Sequence, residues 1–118
     1  MSIEQLADDL YSTVDTNHCA VGHWYDPTTS CMCPIAQVAV KKGLVTEELV
    51  RSTEGKPGEP RLAIESERTL IEAVARHYDV NREAISAFYD YFDSYGEDWD
   101  VDVALELSVV DLLNVSEE

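Results

Sequence analysis

Ile85, Phe88, Tyr89 and Phe92 recur at the spacing of one helical face. Glu83, Asp90, Asp93 and Glu97 fall on another face, at intervals of three, four or seven. A helix patterned in this way is stable only when its apolar side is packed against other elements. The segment therefore predicts a helical domain built around it. Asn81 suits its N-cap and Gly96 its end.

The same period recurs earlier in the chain. Ile3, Leu6, Leu10 and Val14 predict a helix over 3–14, with Ser2 and Gln5 as a capping box and Glu4, Asp8 and Asp9 off the apolar stripe. Pro34 fits a first helical position, followed by Ile35, Val38 and Ala39 and closed by Gly43 after Lys41 and Lys42. Thr46 caps a short helix over 47–52. Ser66 caps another over 67–78, with Leu70, Ile71, Val74, Ala75 and Tyr78 inward.

Two regions read otherwise. Cys19 to Tyr25 is β-prone, Asp26-Pro27-Thr28-Thr29 is turn chemistry, and Ser30 to Cys33 returns as a short strand, which together predict a small hairpin. Residues 53–61 hold two glycines and two prolines, making them a loop too short to divide the chain. Residues 101–109 alternate apolar and polar with a period of two, the signature of a strand. The run continues through Leu113, longer than most strands, and Ala104 to Leu107 favours helix. Helix is preferred. The fold expected is mainly α, a single domain over 1–118 of five to six helices with a small β-hairpin; the alternative is α+β with a strand at 101–109.

Composition supports a packed core. Of the 118 residues, 45% are apolar, too many for a disordered acidic tail. Twenty-four acids face eight Lys and Arg, a formal charge of −16. The charge is concentrated. Residues 1–40 carry five acids and no Lys or Arg, 41–82 are balanced, and 83–118 carry eleven acids with no Lys or Arg. Direct binding to nucleic acid or to an anionic membrane needs a basic surface and is excluded. No stretch approaches a membrane span, and Met1 to Gln5 does not read as a secretory leader. Three cysteines cannot all pair within one chain, so a reducing cytoplasmic setting is expected.

The densest chemistry is His18-Cys19-x3-His23-x7-Cys31-x-Cys33. His23, Cys19, Cys31 and Cys33 are the right donors for zinc, although their spacing departs from the usual C-x2-C knuckle. Cysteines are as readily small buried hydrophobes. Cys33 before a helix N-terminus, with His23 as a base, is also the minimum of a thiol nucleophile. No third orienting residue and no phosphate-binding glycine loop accompany it. Asp90 and Asp93 lack calcium-loop and di-iron spacing and read as a solvated face. Trp99 stands among Glu97, Asp98, Asp100, Asp102 and, further on, Glu106. An aromatic ringed by acids suits an anchor for a basic partner, or a plug folded back on the core.

The order of Gly22-His23-Trp24-Tyr25, Cys33-Pro34-Ile35-Ala36 and Ile85-Ser86-Ala87-Phe88-Tyr89-Asp90 resembles a group of small proteins of bacteria and their phages. Ala36 stands where that group usually has Gly, and Tyr89 where it has Asn. The resemblance implies a helical fold with a hairpin and no particular activity.

Three functions follow as expectations. The first is a non-enzymatic acidic domain docking on a basic protein surface, such as that of a nucleic-acid-binding protein. Its partner-binding residues are Glu83, Asp90, Asp93, Glu97, Asp98, Trp99, Asp100, Asp102 and Glu106. Acids on a helix repeat each 5.4 Å turn, a scale comparable with phosphate spacing, which admits a nucleic-acid mimic. Phage-encoded inhibitors share this short, acidic, motif-poor style. The second is a zinc- or thiol-dependent domain centred on 18–33. The third is an acidic protein of a salt-rich cytoplasm.

Overall fold

A computed structural model describes residues 3–54 and 60–116, with backbone alone for 60–62, 115 and 116. Among these residues the chain forms six α-helices and a two-stranded hairpin. The helices are α1 (Ile3–Thr13), α2 (Pro34–Lys41), α3 (Glu47–Ser52), α4 (Pro60–Tyr78), α5 (Arg82–Asp98) and α6 (Val101–Ser116). A single 3-10 turn, Thr16–His18, leads to β1 (Tyr25–Asp26) and β2 (Cys31–Met32), which pair antiparallel with Tyr25 opposite Met32. None of the described helices is long and apolar enough to cross a membrane.

Local chemistry accounts for most boundaries. Pro34 opens α2 with Cys33 as its N-cap, the Ala36 amide donating to the Cys33 sulfur over 3.5 Å. Gly43, at φ +72°, closes it: the Leu44 amide reaches back to the Ala39 carbonyl and the Gly43 amide to that of Val40. That pair of bonds needs a left-handed residue, and glycine takes the conformation without Cβ strain. Thr46 caps α3 through the Leu49 amide. Asp79 performs the Gly43 role at the end of α4, at φ +56°, with Val80 bonded to Ala75.

Four local expectations are corrected. α4 starts at Pro60, seven residues before 67, because Pro60 is preset for a first helical position and helix formers follow it. Ser66 lies buried inside the helix and does not cap it. α5 runs through Gly96 to Asp98; the glycine is there for space, since a Cβ would meet Val21 Cγ1 at 2.6 Å. The first arm of the hairpin is only two residues long, the segment before it being a turn and a single bridge from Cys19 to Met32. Residues 101–109 are helical, as the length of the run and Ala104 to Leu107 predict, and the strand alternative is removed. The Ser2 cap and positions 55–59 of the 53–61 loop lie outside the described residues.

α5 and α6 pack most extensively on each other, α1 lies against α2 and α6, and α4 spans α2, α3 and α5. Leu10, Ile35, Leu70, Tyr78, Phe88 and Leu112 are fully buried in the core they share. The hairpin is fixed to this core by Trp24, whose ring stacks on Tyr89 of α5 with centroids 4.1 Å apart.

Candidate functional site

The acids predicted as one surface are distributed over three places. Glu83 and Asp90 line a groove of about 530 Å³ between α4 and α5, together with Ile64, Ile71, Arg68 and Arg82. Asp93 is half-buried and faces the turn that precedes the hairpin: its Oδ1 lies 3.0 Å from where a Cβ on Gly22 would stand, and Gly22 holds φ +82°. Glu97, Asp98, Asp100, Asp102 and Glu106 are exposed at and beyond the α5–α6 junction, with Trp99 between them. The face that spacing draws as continuous is therefore interrupted, because α4 flanks α5 on one side and the 21–24 segment meets it elsewhere.

The junction is electrostatically one-sided. The described ion pairs are His18–Asp15, His23–Glu54, Lys42–Asp9, Arg51–Glu47 and Arg82–Glu72. Among the described residues, no acid from Glu83 onward has a basic partner. Glu97 and Asp98 stand at the C-terminal end of α5, where the helix dipole disfavours negative charge. Asp100 precedes α6, its carbonyl accepting the Ala104 amide over 2.9 Å, and Asp102 is in the first turn, where the dipole favours negative charge. Part of the acidic cluster is thus explained by helix initiation. Asp111, further along α6, is engaged by the Tyr95 hydroxyl over 2.5 Å. That hydrogen bond, then burial and the Asp111 charge, raises the Tyr95 pKa.

The cysteine and histidine side chains of 18–33 are engaged separately. The Cys33 sulfur is buried as the α2 cap, Cys31 donates to the Thr29 carbonyl over 3.5 Å, and Cys19 lies 3.9 Å from the Ala20 carbonyl. His23 Nδ1 is bonded to Glu54 Oε1 over 3.1 Å. Among the described residues no three His, Cys, Asp or Glu side chains form a group able to hold a metal. His23, Cys19, Cys31 and Cys33 are not gathered as a zinc site. Cys33 is also unsuited as a nucleophile. Burial pushes its thiol up to about 12, outweighing the amides of Ala36 and Ile35 that favour a thiolate. Burial raises Cys19 as well, with the neighbouring Cys33 and Cys31 adding to it.

Two polar centres were not singled out from the sequence. Gln37 is buried on α2; its Oε1 accepts the Asp15 amide over 2.7 Å, and its Nε2 donates to the carbonyls of Asp15, His18 and Met32. One side chain thereby ties the 3-10 turn and β2 to α2. Asp9 is buried where α1 meets the ends of α2 and α4, receiving Tyr78 and Gln5 and lying 3.5 Å from Lys42. Its place off the apolar stripe predicts exposure, so the burial is a correction. A full-length tyrosine stripe residue at the end of a helix, needing a partner for its hydroxyl, was the available signal. Both centres hold the fold together, and neither lines the groove between α4 and α5.

No family model, curated protein or solved structure matches the chain, so the resemblance to the bacterial and phage group rests on the three quoted segments alone.

Proposed function

We propose that the chain is a non-enzymatic binding domain whose α5–α6 junction docks on a basic surface of another protein. The observation that carries this reading is Trp99, exposed among Glu97, Asp98, Asp100 and Asp102, none of which has a basic partner among the described residues. An exposed indole beside unpaired charge is the composition of an interface anchor. Glu106 continues the charge along α6. Glu83, Asp90 and Asp93 contribute to the field at longer range. A nucleic-acid-binding partner, and competition with its nucleic acid in the manner of a phage inhibitor, is the sharpest form of the proposal. The three free cysteines fit a reducing, cytoplasmic setting for it.

Steering by such a field gives fast association that weakens steeply with salt. The test is capture on the immobilised chain from lysate, eluted with a salt gradient, beside a variant carrying Asp98→Asn, Asp100→Asn and Asp102→Asn. Partners that leave as salt rises and are not retained by the variant support the reading. Partners held equally by both chains at high salt overturn it.

A further inference from the structure

A surface helix ordinarily turns charge outward. α6 does not. Ala104, Leu105, Val109 and Leu112 are buried on its inner side, yet its outer side carries Val103, 37% exposed, and Val110, 47% exposed, with Leu107 half-buried between them. One exposed valine needs no explanation. Three aliphatic residues at positions i, i+4 and i+7 form a ridge of the kind another helix packs against. Two exposed aromatic side chains belong to elements that pack on α6. Tyr11 of α1 is 52% exposed and close enough to Glu106 for that carboxylate, after burial, to raise its pKa. Trp99, in extended backbone at the end of α5 just before α6, is 57% exposed. Asp98, Asp100, Asp102 and Glu106 edge this ridge, unpaired among the described residues.

We infer that the outer face of α6, centred on Val103, Leu107 and Val110, receives a basic amphipathic helix of a partner protein. The ridge takes the partner's apolar stripe, and the acidic margin takes flanking Lys or Arg. A second copy of the chain would bring acid against acid over the same margin, which opposes it. A groove built for a phosphate backbone needs no apolar ridge. The inference rests on the proposed acidic docking and narrows the partner from any basic surface to one with an apolar stripe.

The probes are two synthetic peptides of leucine and lysine, each about 18 residues long so that a helix can form. One places leucine on a single stripe, and the other has the same composition scrambled. Both are titrated against the whole protein, against Val103→Ser/Val110→Ser, and against Glu48→Gln/Glu65→Gln, two exposed acids remote from α6. Circular dichroism confirms that each variant is folded. The inference expects the striped peptide to bind about tenfold or more tighter than the scrambled one, an advantage lost in the valine variant and kept in the glutamate variant. Equal binding of both peptides, or an advantage that survives the valine changes, overturns the inference and leaves the acidic docking standing. No binding of either peptide overturns both. Concentration-dependent dimers that disappear on Val103→Ser/Val110→Ser assign the face to a second copy and overturn the basic-helix occupant.

Discussion

The Tyr78 hydroxyl donates to Asp9 Oδ2 over 2.5 Å, joining the end of α4 to α1 across 69 positions of sequence. Burial alone would push the Asp9 carboxyl up. The bonds from Tyr78 and Gln5 and the charge of Lys42 together outweigh it and hold the carboxyl below its ordinary value. Tyr78 is pushed up in turn, by burial first and then by Asp9.

This coupling sets an acid limb of stability. A carboxyl whose folded pKa lies below its unfolded value binds fewer protons when folded. Its stabilisation is full above the unfolded value, near pH 4, and is lost as pH falls through the folded value. Tyr78→Phe removes a donor, so the cost at neutral pH is about 1–3 kcal/mol and shrinks as Asp9 protonates. Urea melts at neutral and at acid pH measure both. An equal loss at the two pH values would show that the contribution of the hydroxyl does not depend on the charge of Asp9.

Gln37→Leu preserves volume and deletes four hydrogen bonds to the backbone of the hairpin region. The Asp15 amide and the His18 carbonyl then need water, while the Met32 and Asp15 carbonyls keep the Ala20 and His18 amides. The expected cost is about 3 kcal/mol, since each buried group left unpaired costs about 1–3 kcal/mol. Hydrogen exchange at the Asp15 amide should accelerate well beyond the rest of the domain. Protection unchanged at that amide would remove Gln37 from the role given to it.

Gly96→Ala sets two effects against each other. Helix propensity favours alanine by about 1 kcal/mol. The new methyl, however, would stand 2.6 Å from Val21 Cγ1 and 3.0 Å from Val21 Cγ2. Overpacking of this kind costs about 1–3 kcal/mol, so the variant is destabilised. Adding Val21→Ala should recover most of the loss, a non-additivity that a double-mutant cycle reads directly.

The thiols should react in a fixed order. Cys31 and Cys19 are both half-buried, but burial and the neighbouring Cys33 and Cys31 push the Cys19 thiol up, and Cys33 is buried with its pKa pushed up to about 12. A disulfide reagent at neutral pH should label Cys31 first, and Cys33 only at the rate of unfolding. Rapid labelling of Cys33 in the folded protein would contradict its role as the α2 cap.

The two tryptophans should separate in fluorescence. Trp24 is buried against Tyr89, and Trp99 is exposed among acids. Local negative potential concentrates cations and repels anions. Caesium should therefore quench the Trp99 component more than iodide does, with the difference fading as salt is added. Trp99→Phe should leave emission that neither ion quenches efficiently.

Capping chemistry was legible in the sequence because it is local. Pro34 with Gly43, and Thr46, place their helices within a residue of where they lie. Gly96 misled because a glycine in a helix has two meanings, a stop or a close approach, and only the position of Val21 distinguishes them. Asp9 misled for a similar reason: spacing places it off the stripe, and the hydroxyl that makes its burial tolerable comes from another helix. The acidic set was legible as a composition but not as a surface. Asp90 and Asp93 are three residues apart, yet one borders the α4 groove and the other covers Gly22. The alternation in 101–109 resembled a strand because α6 is apolar on its outer as well as its inner side.

The placement of charge along α5 also gives the molecule a direction. Around the start of that helix Arg68, Arg76 and Arg82 are offset by Glu67, Glu72, Asp79 and Glu83, whereas Glu97 and Asp98 end it without a basic partner among the described residues. At 1.5 Å per residue the two ends are roughly 24 Å apart. Negative charge concentrated at one end of the molecule experiences a torque in the field of any charged surface. A positive target would turn the α6 end toward itself before contact, and a negative one would turn it away. The arrangement selects the orientation of an encounter as well as its rate.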